Sequence, residues 1–194
     1  DEIRSRGLGD VYKRQSGVGI SGKDASLVIC EKDNPELGYV GKPIHINTKL
    51  ITTLVENDFI PVISPIGTNE EGETFNINAD TMAGTIASAL KADRLLLLTD
   101  VSGVKDKSGN KIEKASTEAI KKLIKENVIK DGMIPKVNTA IDSIEKGVRA
   151  VVILDGSIQN ACLLELFTDH GVGTLIRKEL NLSLIHISEP TRPY

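Results

Sequence analysis

Continuous apolar segments alternate with helical patterns along this chain, and that alternation is the feature that most restricts its fold. The segments RLLLLT at 94–99 and VRAVVIL at 148–154 are almost continuously apolar, which is typical of strands buried on both faces of a parallel sheet. Helical patterns occupy 79–91, 116–127 and 133–146. Strands that alternate with helices in this way indicate an α/β domain around a mainly parallel central sheet.

Two short segments at the ends of the chain are related through DNA rather than through protein structure. SRGLGDVYKRQ at 5–15 can be encoded by a sequence whose reverse complement encodes LSLIHISEPTR at 182–192. An inverted repeat of eleven codons resembles an adapter read at both ends of one DNA insert. Segments of this kind carry no information about the fold. We therefore expect 1–15 and 182–194 to be non-native and 16–181 to form the domain, which further residues would precede in the natural protein.

The charge and the cysteine content argue against several classes of protein. A formal net charge of −3 disfavours a general nucleic-acid-binding surface, which would require a basic face. No apolar run approaches the length that crosses a membrane. Cys30 and Cys162 lie beside apolar runs without metal-ligand spacing, which is typical of reduced, buried thiols. We thus expect a cytoplasmic protein that binds neither nucleic acid nor membrane and has no protein-ligated metal.

The glycine-rich segment GVGISGKD at 17–24 matches the beginning of two phosphate-binding motifs. It fits G-x-G-x-x-G, and it fits the Walker pattern until Asp24 replaces the Ser or Thr that would hold magnesium. Both motifs must lead into a helix whose amino end binds the phosphates, yet strand-forming residues follow here. The segment therefore predicts a glycine-rich turn that enters a strand.

Polar residues that follow apolar segments are the candidates for chemistry, because ligands of open α/β sheets bind beyond the carboxyl ends of the strands. Asp100 directly follows the strand predicted at 94–99, although an aspartate that merely begins a turn would look the same. Asn76, Asn78 and Asp80 cluster at the start of a predicted helix. A carboxylate in the first turn also complements the helix dipole, so a purely structural role for Asp80 stays open.

Lys136 lies in the first turn of the helix predicted at 133–146. A cation at this position opposes the helix dipole by about 0.3–1 kcal/mol when it is exposed. A lysine beside free helix N–H groups is, however, what a phosphate site requires. Two interpretations therefore stay open for Lys136: a solvated surface lysine or a phosphate ligand.

Five segments together resemble the acetylglutamate kinase family. They occur in the family's order along the chain: SGKD at 21–24, FNINAD at 75–80, LLTDVSGV at 97–104, DGMIPKV at 131–137 and ELFTDHGVGT at 165–174. The resemblance implies the amino acid kinase fold, which is a three-layer α/β/α sandwich around a mainly parallel sheet. It also implies transfer of the γ-phosphoryl group of ATP to the side-chain carboxylate of N-acetyl-L-glutamate, a step of arginine biosynthesis.

The resemblance further implies roles for individual residues. Asn76 would bind acetylglutamate, Asp80 would organise the catalytic lysines, and Lys136 would stabilise the transferring phosphoryl group. The residues that would line the nucleotide site are Asp100, Val101, Ser102, Gly103, Val104, Lys105, Val128, Ile129, Lys130 and Met133.

We expect the family's amino-terminal lobe to be missing from this chain. Because that lobe carries a second catalytic lysine and much of the substrate pocket, the chain by itself is expected to be inactive. The expected ligands are ATP with Mg²⁺ and N-acetyl-L-glutamate, and the expected assembly of the intact enzyme is a homo-oligomer. Two alternatives stay open: a kinase of a related acid such as aminoadipate, and a non-catalytic nucleotide-binding domain.

Overall fold

The computed structural model describes residues 16–168 and 171–179. Within these residues, ten strands and five α-helices alternate along the chain, which confirms the predicted α/β class. None of the described helices combines the length and the hydropathy required to span a bilayer. The segments predicted to be non-native, 1–15 and 182–194, lie outside the described residues.

The chain divides into two compact units. The first extends to Leu95 and also includes Lys146–Val148, and the second comprises Leu96–Glu145 together with the residues from Arg149 onward. Both units combine strands with helices.

The described strands of the first unit form two sheets. β1 (Ser16–Ser21) pairs in parallel with β4 (Phe59–Ser64) along its whole length. The strands of the other sheet are β2 (Val28–Lys32), β3 (Gly41–Ile46), β5 (Ile66–Thr68) and β6 (Thr74–Asn76). Their order is β3-β2-β5-β6, in which β2 and β5 are parallel and both edge strands are antiparallel to their neighbours.

Two α-helices belong to the first unit, α1 (Lys49–Glu56) and α2 (Ala79–Ala89). At the start of α1, the side-chain oxygen of Asn47 accepts the backbone N–H of Lys49 at 3.2 Å. The small residues of α2 allow close packing. The core of this unit is built from Leu27, Val28, Cys30, Ile51, Phe75, Ile77 and Met82.

The described strands of the second unit form one four-stranded sheet. They are β7 (Arg94–Thr99), β8 (Lys114–Ser116), β9 (Ala150–Asp155) and β10 (Thr174–Arg177). Their order is β7-β9-β10-β8, in which β10 runs parallel to β8 and antiparallel to β9. The first five residues of β9 are all buried, as its apolar sequence predicts.

Three helices belong to the second unit: α3 (Thr117–Lys125), α4 (Met133–Glu145) and α5 (Ala161–Phe167). The Ser116 hydroxyl accepts the N–H of Ala119 at 3.1 Å and thereby caps α3. One face of α4 is buried at helical spacing, through Val137, Ala140, Ile141 and Ile144.

The structure differs from two of the strand predictions. Most of the segment 17–24 is not a turn but belongs to β1, because parallel pairing with β4 outweighs the weak strand propensity of its glycines. A short 3-10 turn follows at Asp24–Ser26 rather than a phosphate-binding helix. β7 is not buried on both faces: Leu95 and Leu97 are buried, whereas Leu98 on the opposite face is 50% exposed.

Candidate functional site

The carboxyl ends of β7 and β9 lie side by side in the second unit. The backbone N–H of Gly156, directly after β9, donates to the carbonyl oxygen of Thr99 at 2.8 Å. Asp100 follows at the same edge with an exposed side chain, and its carboxylate accepts a hydrogen bond from the Thr99 hydroxyl at 3.2 Å. This is the edge of an α/β sheet at which ligands bind.

Asp155 adds a second carboxylate at the end of β9. Its Oδ1 atom accepts the hydroxyl of Ser157 at 2.6 Å and the backbone N–H of the same residue at 2.8 Å. These two hydrogen bonds hold the pKa of the Asp155 carboxyl below its usual range. Its negative charge and its hydrogen bonds therefore fix the turn that follows β9.

The loop after β7 exposes some residues and buries others. Asp100, Val101 and Lys105 are exposed, whereas Gly103 and Val104 are buried. Gly103 has a φ of +131°, and a Cβ atom there would lie 2.5 Å from the Thr174 hydroxyl oxygen. Only glycine fits this position, both for its backbone conformation and for its close approach to β10.

Thr174 fastens this loop to β10. Its fully buried hydroxyl accepts the N–H of Val104 at 2.9 Å and donates to the carbonyl oxygen of Ile112 at 2.6 Å. The N–H of Ile112 in turn donates to the carbonyl oxygen of Val104 at 2.8 Å. The Thr174 side chain thereby bonds to both ends of the hairpin at 104–112.

The segment before Thr174 is itself held by Glu165 on α5. The Glu165 Oε2 atom accepts the N–H groups of Val172 at 2.9 Å and of Gly173 at 3.3 Å. The motif ELFTDHGVGT, which contributes to the family resemblance, thus contains two buried polar residues that order the chain ahead of β10. The sequence alone predicts no individual role for Glu165 or Thr174, and the signal at each position is a polar residue between non-polar neighbours.

The second predicted nucleotide segment connects α3 to α4. Asn127, two residues beyond the end of α3, has a φ of +55°, and the N–H of Val128 donates to the carbonyl oxygen of Leu123 at 3.0 Å. Ile129 is buried, whereas Lys130 is exposed. The buried isoleucine anchors this connection and leaves the lysine in solvent.

Met133 and Lys136 lie in the first turn of α4. Both side chains are half-buried, and the N–H of Met133 donates to the carbonyl oxygen of Lys130 at 3.2 Å. Lys136 is the fourth residue of the helix, as the sequence predicts, so its positive charge lies near the helix amino end.

Asn76 and Asp80 belong to the first unit, whereas the other predicted site residues belong to the second. Asn76 ends β6 with an exposed side chain, and its backbone N–H donates to the carbonyl oxygen of Tyr39 at 2.8 Å. Asp80 is half-buried in the first turn of α2. The residue that caps α2 is Asn78, whose side-chain oxygen accepts the N–H of Thr81 at 3.1 Å.

The motif SGKD closes the turn after β1. The Asp24 carboxylate accepts the backbone N–H of Ser21 at 2.6 Å and its hydroxyl at 2.9 Å, and these bonds lower the pKa of Asp24. Lys23 donates from its ammonium group to the Thr74 hydroxyl at 2.9 Å. A side chain at Gly22 would overlap the carbonyl oxygen of Ile66, so the motif has a structural reason for its glycine.

Four exposed side chains of the second unit have chemical groups that can bind the parts of a nucleotide. Lys105 and Lys130 offer exposed cations for phosphates, Val101 offers an exposed apolar surface, and Asp100 offers a carboxylate for hydroxyl groups. Among the described residues, no group of three His, Cys, Asp or Glu side chains is arranged to hold a metal ion.

Comparisons with known proteins place this arrangement in a family. The model of the Amino acid kinase family matches residues 8–155. The acetylglutamate kinase of Ruegeria pomeroyi is 56% identical over 168 residues, which cover 86% of this chain and 58% of that protein. The acetylglutamate kinase of Paracoccus denitrificans is 56% identical over 161 residues, which cover 82% and 53% of the two chains. The chain therefore spans little more than half the length of these relatives.

Solved structures share the fold. N-acetylglutamate synthase of Neisseria gonorrhoeae, complexed with coenzyme A and N-acetyl-glutamate, superposes with a TM-score of 0.75 at 26% identity over 82% of this chain and 38% of that one. Carbamate kinase of Giardia lamblia, bound to AMP-PNP, superposes with a TM-score of 0.69 at 19% identity over 92% and 68% of the chains. These findings confirm the expected amino acid kinase fold, and the chain belongs to the amino acid kinase family.

Proposed function

We propose that the chain supplies the nucleotide-binding part of an acetylglutamate kinase. The reaction transfers the γ-phosphoryl group of ATP to the side-chain carboxylate of N-acetyl-L-glutamate, giving N-acetylglutamyl 5-phosphate and ADP. The observation that carries the proposal is the 56% identity to bacterial acetylglutamate kinases along most of the chain. The exposed loop at the carboxyl end of β7 supports it, because that edge offers groups suited to a nucleotide.

The carboxylate that accepts the phosphoryl group determines what the active site must supply. A side-chain carboxylate has a pKa of about 4.3 and is already ionised at neutral pH, so no general base is required. The difficulty is to bring an anion onto a polyphosphate. Lysine side chains and helix N–H groups would therefore supply most of the catalysis by positioning and by neutralising charge.

Each predicted residue has a place in this scheme. Lys136 would stabilise the transferring phosphoryl group, Asp80 would orient lysines, and Asn76 would hold the acetylglutamate. The nucleotide would bind along Asp100–Lys105 and Val128–Lys130, with Met133 beside it. Mg²⁺ would arrive with ATP and neutralise phosphate charge. We further propose a cytoplasmic enzyme that assembles as a homo-oligomer.

Two other functions compete with this proposal. A kinase of a related acid, such as aminoadipate, would use the same nucleotide residues. A non-catalytic nucleotide-binding domain would also be consistent with a chain that spans little more than half the length of its relatives.

The test begins with the DNA upstream of the Ser16 codon. The extended gene product and the 194-residue chain are both incubated with MgATP and either N-acetyl-L-glutamate or the aminoadipate analogue, and acyl phosphate is trapped with hydroxylamine. We expect hydroxamate from the extended product with N-acetyl-L-glutamate and none from the 194-residue chain, which should still bind ATP. Turnover only with the aminoadipate analogue would favour the first alternative. ATP binding by both products without any turnover would favour the second.

A further inference from the structure

We propose that Thr174 is a positioning residue for the nucleotide loop: its buried hydroxyl fixes the backbone of Gly103 and Val104 and thereby sets the loop that begins at Asp100. The inference rests on the proposed function in one respect, namely that this loop binds the nucleotide. The contact itself is a feature of the second unit alone.

The hydroxyl of Thr174 is buried. Thr174 has no exposed surface, so both of its hydrogen-bonding capacities must be satisfied inside the protein. They are satisfied by the N–H of Val104 at 2.9 Å and the carbonyl oxygen of Ile112 at 2.6 Å, which belong to the loop and its hairpin rather than to the strand of Thr174. The side chain thus serves the conformation of a segment 70 residues away.

The loop has an unusual backbone conformation at the contact with Thr174. Gly103 adopts a φ of +131°, which a residue with a side chain rarely adopts, and a Cβ atom there would lie 2.5 Å from the Thr174 hydroxyl oxygen. The loop is therefore held in one unusual conformation by a specific partner. The exposed residues Asp100 and Val101 lie only three and two positions before Gly103.

The backbone ahead of Thr174 is itself supported by side chains. Glu165, itself buried, accepts the N–H groups of Val172 and Gly173, which immediately precede Thr174. Lys111 adds a bond from its ammonium group to the carbonyl oxygen of Val172 at 3.0 Å. The backbone directly before Thr174 is thus bonded through both its N–H groups and a carbonyl oxygen, and this support helps to fix Thr174 as a positioning group.

The test compares three variants of the full 194-residue chain. Thr174→Val keeps the shape of the side chain and removes the hydroxyl, whereas Thr174→Ser keeps the hydroxyl. Thr117→Val is the matched control, because Thr117 is an equally buried threonine of the same unit whose hydroxyl donates to Glu118. Each variant is measured for amide exchange at Val104 by NMR and for ATP affinity by calorimetry.

We expect Thr174→Val to accelerate exchange of the Val104 amide and to weaken ATP binding, each by about tenfold, because the Val104 N–H and the Ile112 carbonyl oxygen both lose their partner. Thr174→Ser should remain within about threefold of the wild type in both measurements, and Thr117→Val should leave them unchanged. Should Thr174→Val fail to fold, Gly103→Ala disturbs the same contact from the loop side and should give the same two changes.

The inference would be overturned if the Val104 amide of Thr174→Val exchanged as slowly as it does in the wild type. Equal weakening of ATP binding in Thr117→Val would also overturn it, because the effect would then reflect general loss of stability. If the wild-type chain itself binds no ATP, the proposed nucleotide site fails, and the exchange rate of Val104 alone decides whether Thr174 fixes the loop.

Discussion

The carboxylate of Glu165 accepts the backbone N–H of Val172 at 2.9 Å and joins α5 to the chain that leads into β10. We expect Glu165→Ala to lower the free energy of unfolding by about 1–3 kcal/mol, because the part-buried N–H of Val172 and the buried N–H of Gly173 lose their acceptor. Glu165→Gln retains an acceptor oxygen and should cost less. Urea denaturation of both variants checks this order, and equal losses would contradict it.

Lys136 offers the most direct test of the chemistry. In the intact kinase, Lys136→Ala should lower kcat by about 10²–10³-fold, the usual loss when one group that stabilises transition-state charge is removed. KM for ATP should change far less, because the interaction is strongest in the transition state. Lys125→Ala, on the exposed surface of α3, is the control and should leave kcat unchanged. An unaltered kcat in Lys136→Ala would remove this residue from the reaction.

Local signals in the sequence were sufficient for much of the fold. The Ser116 cap, the helix that begins at Met133 and the buried strand β9 all follow from patterns within a few residues. The structure also places Asp100 at a sheet edge beyond β7, where the strand pattern predicts it. The roles of the site residues remain predictions.

Local patterns do not predict features that depend on contacts between residues far apart in the sequence. The glycines of β1 are poor strand formers and predict a turn, and only the pairing with β4 makes this segment a strand. The apolar run of β7 does not reveal that Leu98 lies on a half-exposed face. The hydrogen bond between Val104 and Thr174 joins residues 70 positions apart, and no local pattern encodes it.

Gly173 lies where the chain entering β10 packs closely against β9. A Cβ atom at this position would lie 2.5 Å from the carbonyl oxygen of Ile153 and 2.8 Å from the Cβ atom of Leu154. Gly173→Ala should therefore destabilise the protein by about 1–3 kcal/mol through overpacking. The matched control is Gly19→Ala in β1, where a Cβ atom would meet no neighbour within 4 Å. Chemical denaturation of both variants measures the difference, and similar midpoints would show that β9 and β10 can separate without cost.

The lowered pKa of Asp155 predicts that the stability of the protein depends on pH. Because the hydrogen bonds from Ser157 lower the pKa of this carboxyl in the folded state, its stabilising contribution is present above the ordinary value of 3.8 and is lost as the pH falls through the folded pKa. Asp155→Asn should thus be less stable than the wild type at pH 7, and the difference should shrink at about pH 3. Urea titrations at the two pH values measure it. A difference that stays constant would mean that the charge of Asp155 contributes nothing.

The two cysteines should differ in reactivity with a thiol reagent such as dithionitrobenzoate. Cys30 is 2% exposed in the core of the first unit, and burial raises the pKa of its thiol, so the reactive thiolate is both inaccessible and disfavoured. Cys162 on α5 is only partly buried. We expect one thiol to react rapidly in the folded protein and the second only after denaturation. Cys162→Ser should abolish the fast phase and Cys30→Ser the slow one. A fast phase that survives in Cys162→Ser would mean that the core around Cys30 opens readily, which contradicts its packing against Gly67 and Val28.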